Sequence, residues 1–172
     1  MSCHQPRSKL RIRLIGTRTM LFGLAGLCAS AMAPAAAAAQ DLELGKEVYE
    51  KANCVGCHKW HGDGGGGYGG AALSLRETQL DRDLLLEVVR CGRPATGMPY
   101  HDRDAYKGTD CYGMTKADLG GDFPPKAATF LRSEEIEAVV AYVATRLKGQ
   151  GESTKEDCIA FWGEDARECE SM

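Results

Sequence analysis

The pentapeptide Cys54-Val55-Gly56-Cys57-His58 constrains this chain more than any other stretch. Two thiols at this spacing reach neighbouring vinyl groups of one porphyrin, and the histidine that follows is carried over the ring face. C-x-x-C-H is therefore the attachment pattern of a covalent c-type haem. A bare C-x-x-C also serves zinc sites and thioredoxin-like redox centres. A zinc site wants a second ligand pair at short spacing, whereas the cysteines at 91, 111, 158 and 169 are scattered. A thioredoxin-like centre belongs at a strand-to-helix junction in a βαβ pattern, and no strand run of that kind occurs here. Neither alternative requires His58.

Covalent haem attachment needs an exported chain, and the N-terminus has the form of a leader. Residues 1–18 carry Arg7, Lys9, Arg11, Arg13 and Arg18 with no acidic residue, Met20 to Met32 is apolar, and Ala35–Ala39 supplies an A-x-A-like cleavage site. This layout reads as a signal peptide over 1–39, cleaved after Ala39, with export to the periplasm. The apolar run is too short for a membrane span, so no span is expected after cleavage. All 24 acidic residues follow residue 40, and 5 of the 21 basic ones lie in the leader. The mature chain thus has 16 basic against 24 acidic residues, a formal charge of −8. That charge argues against nucleic acid or anionic membrane as a partner and suits a protein partner with a basic patch.

Cys3 and Cys28 leave with the leader. Of the six remaining cysteines, two are expected on haem and four form an even set in an oxidising compartment. Four cysteines allow three pairings. Proximity along the chain favours Cys91–Cys111 with Cys158–Cys169, each bridge worth about 2–4 kcal/mol on a chain-entropy estimate.

Helical patterning dominates, which predicts an all-α fold. Gln40–Asn53 reads as a first helix with Leu42, Leu44, Val48 and Tyr49 at three- and four-residue steps. Gly45 inside it costs about 1 kcal/mol relative to alanine, a cost that makes sense where another helix crosses closely. The glycine-rich stretch from His61 to Leu73 lacks the Gly-Lys-Ser/Thr of a phosphate loop and suits a loop folded over a flat cofactor, with Leu73 and Leu75 as packing at its end. Asp81–Cys91 predicts a second helix, capped by Asp81, with Leu84, Leu85, Val88 and Val89 on its apolar face and Gly92 and Pro94 at its end. A turn follows over Ala95–Tyr100. Residues 101–130 are polar and rich in Gly, Asp and Pro. Glu134–Leu147 predicts the last long helix, burying Ile136, Val139, Val140, Tyr142 and Val143 and stopped by Gly149 and Gly151. From Glu152 the tail holds seven acidic and two basic residues, with Ile159, Phe161 and Trp162 between its cysteines. The organisation expected is a leader over 1–39, one domain over 40–150 and an acidic disulfide-containing tail over 151–172.

Together these segments resemble the class I c-type cytochromes from about residue 41 to 148. Leu44-Gly45-Lys46-Glu47-Val48-Tyr49 leading into Cys54 looks like that family's N-terminal helix. The run from Leu80 through Cys91-Gly92-Arg93-Pro94-Ala95-Thr96-Gly97-Met98-Pro99 looks like its middle helix and ligand-methionine turn, and Leu131 to Val143 looks like its C-terminal helix. The resemblance implies a cytochrome c fold: three main helices around one covalently attached haem c, with the first and last helices crossing at Gly45 near Tyr142. It implies thioethers from Cys54 and Cys57, with His58 and a methionine as axial iron ligands. Met98 matches the family's turn. Met114, in Tyr112-Gly113-Met114-Thr115, is the alternative. His61 and His101 read as ordinary loop histidines, or as ligands of a bis-His variant.

Three departures from the family stand out. Gly69-Gly70-Ala71-Ala72 replaces the proline whose carbonyl usually holds the ligating imidazole. About thirty residues intervene between the methionine turn and the last helix. The tail lies outside the resemblance altogether. The function implied is a periplasmic one-electron carrier and not an enzyme, since both axial positions would be filled. Its electrons would come from a periplasmic dehydrogenase, such as a quinoprotein alcohol dehydrogenase by analogy, and go toward a terminal oxidase. The other readings are a fixed haem subunit of a dehydrogenase or oxidase complex, a haem sensor or enzyme with a labile sixth ligand, and a thiol–disulfide oxidoreductase at Cys54/Cys57.

Overall fold

Ala33–Lys51 forms the first helix, α1, in a computed structural model that describes residues 33–66 and 72–172, with side chains from Asp41 onward. Most of the expected leader therefore lies outside the described residues. The helix begins ahead of the expected Gln40 because an alanine run has the highest helix propensity of any sequence, and Pro34 falls in the first turn, where no backbone partner is lost. The other helices are α2 (Cys54–His58), α3 (Arg82–Cys91), α4 (Lys116–Leu119), α5 (Ser133–Tyr142) and α6 (Lys155–Trp162). No strand occurs among the described residues beyond two isolated bridges, so the all-α expectation holds.

The core forms where α1 crosses α5. A Cβ on Gly45 would stand 2.2 Å from the Ala138 carbonyl oxygen and 2.7 Å from the Tyr142 Cβ. The two backbones approach so closely that only glycine leaves room. Just beyond the crossing, the rings of Tyr49 and Tyr142 lie 5.7 Å apart. Val48, Tyr49, Leu85, Ile136, Val139, Val140, Val143 and Leu147 make up most of the buried cluster. The last helix keeps its expected extent, but only its first part is α-helical. Val143–Leu147 is a π-helical turn in which the Lys148 N–H reaches back to the Val143 carbonyl at 2.8 Å.

Helix α3 starts as expected, with the Asp81 carboxylate accepting the Leu84 N–H at 2.9 Å. Its buried face is rotated from the expected one. Leu85 is buried and Leu86 and Val89 pack on the core, while Leu84 is 45% exposed. Three consecutive leucines leave the hydrophobic stripe ambiguous by one residue, and packing against α5 selects the second.

The start of α5 carries a buried acid. Glu135 accepts the Arg132 N–H at 2.9 Å and the ammonium of Lys51 on α1, with the Arg132 guanidinium at 3.3 Å. These donors, the Arg132 N–H foremost, hold its carboxyl down from 4.5 to about 2. A depressed carboxyl stabilises the fold fully above the unfolded value and loses that contribution as pH falls through the folded one. Glu135→Gln is therefore expected to lower the urea midpoint at neutral pH, with the gap to wild type closing from about pH 4.5 toward pH 2. Urea titrations across that range would check it, and a gap constant with pH would refute the assignment.

Both disulfides form with the pairing that proximity favours, Cys91–Cys111 and Cys158–Cys169. The first joins the end of α3 to the segment over 101–130. That segment is compact. Thr115 and Asp118 cap α4 reciprocally, and the rings of Tyr100, Tyr106, Phe123 and Phe130 meet edge-to-face or tilted with neighbouring centroids 4.8 to 5.9 Å apart.

The acidic tail is packed into the core. Helix α6 buries Phe161 against Tyr49 and Trp60, with centroids at 6.4 and 6.2 Å, and Lys46 donates to the Ala160 carbonyl at 3.3 Å. Arg76, which is 5% exposed, ties this layer down. Its guanidinium donates to the carbonyls of Gly151, His61, Gln150 and Glu152 and to the Asp157 carboxylate.

Candidate functional site

Helix α2 is a single turn set between two reversals. Asn53 before it and Lys59 after it both lie at φ 61. Asn53, at ψ 30, is in the left-handed helical region that asparagine tolerates better than most residues, while Lys59 is extended at ψ 169. The Lys59 carbonyl is held by the Tyr49 hydroxyl at 2.9 Å, which anchors the end of the turn to α1. Cys54 and Cys57 are one helical turn apart and so share a face. Neither belongs to the two disulfides. Burial pushes the Cys54 thiol up to about 12.

His58 is half-buried, and its Nδ1 lies 3.0 Å from the Leu73 carbonyl oxygen. A carbonyl can only accept, so Nδ1 carries the proton and Nε2 keeps its lone pair. Burial, aided by the nearby charge of Arg93 and opposed by the bond to Leu73, holds the ring below the usual histidine range. That direction favours the neutral imidazole, the form that ligates a metal.

The glycine loop delivers that carbonyl. Gly64 sits at φ 71, and a Cβ there would meet the Ala72 oxygen at 2.2 Å. The Gly65 N–H donates to Ala72 at 2.9 Å, and the Leu75 N–H donates to Gly62 at 2.7 Å. The loop closes on itself and carries residues 72–75 past His58. Of the stretch that replaces the expected proline, Gly69, Gly70 and Ala71 lie outside the described residues. The acceptor that sequence left unassigned is the Leu73 backbone, while the Leu73 side chain is 64% exposed.

Met98 lies in the turn after α3 and is half-buried. Its carbonyl accepts the Arg93 N–H at 3.2 Å, and its N–H donates to the Thr96 hydroxyl at 3.2 Å. Gly92, at φ 67, lets the turn fold back, since a Cβ there would stand 2.8 Å from the Met98 oxygen. Met114 sits beside the disulfide, its N–H on the Cys111 carbonyl at 2.9 Å, and is 41% exposed. His61 pairs with Asp63 at 2.7 Å and sets its ring against Trp60. His101 is 4% exposed, with Nδ1 on the Thr129 carbonyl at 3.3 Å. Both histidines are engaged with their own loops.

The donor set fits a covalent haem: two thiols on one face, outside the disulfides, followed by an imidazole whose outer nitrogen is fixed and whose inner nitrogen is available. It does not fit a zinc cluster, since among the described residues no three His, Cys, Asp or Glu side chains converge on a metal-sized site. Among the described residues no helix is long and apolar enough to cross a membrane. Sequence reasoning missed two contributors, the Leu73 carbonyl and the Arg76 clamp. A backbone acceptor carries no sequence signal, and an isolated arginine does not announce its partners.

In comparisons with known proteins, the family model described as Cytochrome c matches residues 42–146. No curated protein and no solved structure matches the chain.

Proposed function

Because the chain belongs to the cytochrome c family, we propose that it is a periplasmic monohaem c-type cytochrome that carries single electrons from a dehydrogenase toward a terminal oxidase. The observation that carries this reading is the His58 Nδ1 bond to Leu73, which leaves Nε2 as a ligand beside the paired thiols of Cys54 and Cys57. Haem c, when bound, supplies a one-electron Fe(III)/Fe(II) couple. The residues of the chain hold it and tune it. Cys54 and Cys57 anchor it through thioethers. His58 would ligate its iron, with ring orientation and basicity set by the carbonyl it donates to. Met98 would be the second protein ligand, and a thioether would raise the potential relative to a second imidazole. With both ligands supplied by the chain, no open site would be left for substrate chemistry, and the cycle would need only a partner surface for each electron. The formal charge of −8 on the mature chain suits basic patches on those partners. A quinoprotein alcohol dehydrogenase as donor rests on analogy to acidic cytochromes of this kind.

Met98→Ala tests the reading in the oxidised holoprotein. The variant is expected to lose the long-wavelength charge-transfer band of methionine-ligated ferric haem and to turn high-spin, while its haem still survives acid–acetone extraction. The same loss in Met114→Ala, with Met98→Ala unchanged, would move the ligand to Met114. A high-spin wild type that binds CO rapidly would overturn the carrier reading in favour of a sensor or enzyme.

A further inference from the structure

The insertion over 101–127 is bonded to the methionine turn at its entry, its middle and its exit. At its entry, Cys91 is linked to Cys111, and the Tyr106 hydroxyl donates to the Cys91 carbonyl at 2.8 Å. One residue on, the Tyr112 hydroxyl donates to the Gly92 carbonyl at 2.6 Å. These are the last carbonyls of α3, which a helix end leaves without intrahelical partners. At the middle, the Ala95 N–H donates to the Asp122 carbonyl at 2.8 Å. Ala95 is held at φ 59, a left-handed conformation that alanine does not choose unaided. At its exit, the Tyr100 N–H donates to Pro125 at 3.0 Å and its carbonyl accepts from Ala127 at 3.2 Å. The insertion is itself braced back to α3, where the Tyr112 N–H meets the Glu87 carboxylate at 2.9 Å. Within the turn, the Arg93 N–H donates to Met98, the Thr96 N–H and hydroxyl donate to Arg93, and the Met98 N–H donates to Thr96, while the residues over 95–97 are exposed.

We propose that this insertion is a strap that keeps Met98 in place against competing ligands, with Tyr106 and Tyr112 as positioning residues acting through the Cys91 and Gly92 carbonyls. A methionine turn of this length, exposed on one side, opens easily unless its ends are fixed. The strap fixes both ends and the middle, and the Cys91–Cys111 bridge ties its first part to the end of α3. Because it grips backbone carbonyls and N–H groups rather than the thioether, it lowers the chance of the ligand leaving without altering the ligand itself. The inference rests on Met98 being the sixth ligand.

The test uses ferric holoprotein and imidazole as the competing ligand, following loss of the methionine charge-transfer band. The double variant Tyr106→Phe, Tyr112→Phe keeps both rings and removes only the two hydroxyls. It is expected to bind imidazole about tenfold more tightly than wild type, the weight of two ordinary hydrogen bonds partly coupled to turn opening. Cys91→Ser with Cys111→Ser is expected to shift affinity in the same direction and further. If that variant fails to fold, the phenylalanine pair still decides the matter. A double phenylalanine variant with a lower urea midpoint and unchanged imidazole affinity would show a merely structural role and overturn the strap. Met98→Ala separates the two readings. If it keeps the charge-transfer band, the ligand assignment fails. If it loses the band while the phenylalanine pair binds imidazole as wild type does, the strap alone fails.

Discussion

Gly45→Ala is expected to destabilise the protein by about 3 kcal/mol, the upper end of ordinary overpacking costs. The sign is the informative part. On an exposed helix the same change gains about 1 kcal/mol, because alanine is the better helix former. Here the added methyl would stand 2.2 Å from the Ala138 carbonyl oxygen and 2.9 Å from the carbon that bears it. Those atoms are backbone and cannot rotate aside, so α1 and α5 must separate. Separation loosens the Tyr49–Tyr142 contact and the packing of Val48 and Val139 around it. It also moves the Tyr49 hydroxyl that holds the end of α2, so the yield of covalently loaded protein is expected to fall as well. Denaturant titration of the purified holoprotein checks the first effect. A variant as stable as wild type would mean that the helices do not meet at this residue.

The second large effect is expected at Arg76. Its guanidinium donates to four backbone carbonyls and the Asp157 carboxylate and pairs with Asp63 at 3.8 Å, from the glycine loop on one side to the tail on the other. A hydrogen bond to a charged group contributes about 1.5–3 kcal/mol. Because Gln150, Gly151 and Glu152 are exposed and the Asp157 side chain is 41% exposed, water replaces part of what is lost, leaving a cost of about 2–4 kcal/mol for the set. Arg76→Ala should reach that range and release α6, exposing the chain near residues 149–154 to proteolysis. Arg76→Lys is expected to rescue little. All three guanidinium nitrogens are in use, and a single ammonium cannot reproduce the fork. Urea titration together with limited proteolysis distinguishes the two consequences. An intact proteolytic pattern and a midpoint close to wild type in Arg76→Ala would show that Phe161 and the Cys158–Cys169 bridge hold the tail without the arginine.

Much of the frame was legible because its signals are local. Asp81 caps α3 through an oxygen three residues from its target, Gly92 and Gly149 end their helices, and the two disulfides join cysteines that are neighbours along the chain. Gly45 was legible as a crossing point because an internal helical glycine is costly without a reason. The tail was only half legible. Ile159, Phe161 and Trp162 advertise an apolar patch, but the eight residues of α6 are too few for a clear stripe, and nothing local says that Phe161 rather than Trp162 enters the core. The insertion was illegible for another reason. Its contacts run from tyrosine hydroxyls and backbone groups to other backbone groups, and composition reports the donors without naming the acceptors. The site divides the same way: the motif carries its own chemistry, whereas the bonds on Ala95 and Tyr100 in the turn beside Met98 come from residues far along the chain.

The bond from His58 to the Leu73 carbonyl has a consequence for how this protein can change over generations. The acceptor belongs to the peptide backbone, which every amino acid provides. Leu73 can therefore be replaced by almost any residue without loss of the bond, and the exposed side chain puts little pressure on the choice. What the histidine depends on is the length of the path from Ala72 to Leu75, whose ends are bonded to Gly65 and Gly62. Descendants of this sequence should drift freely in the spelling of those four residues while insertions and deletions among them are purged.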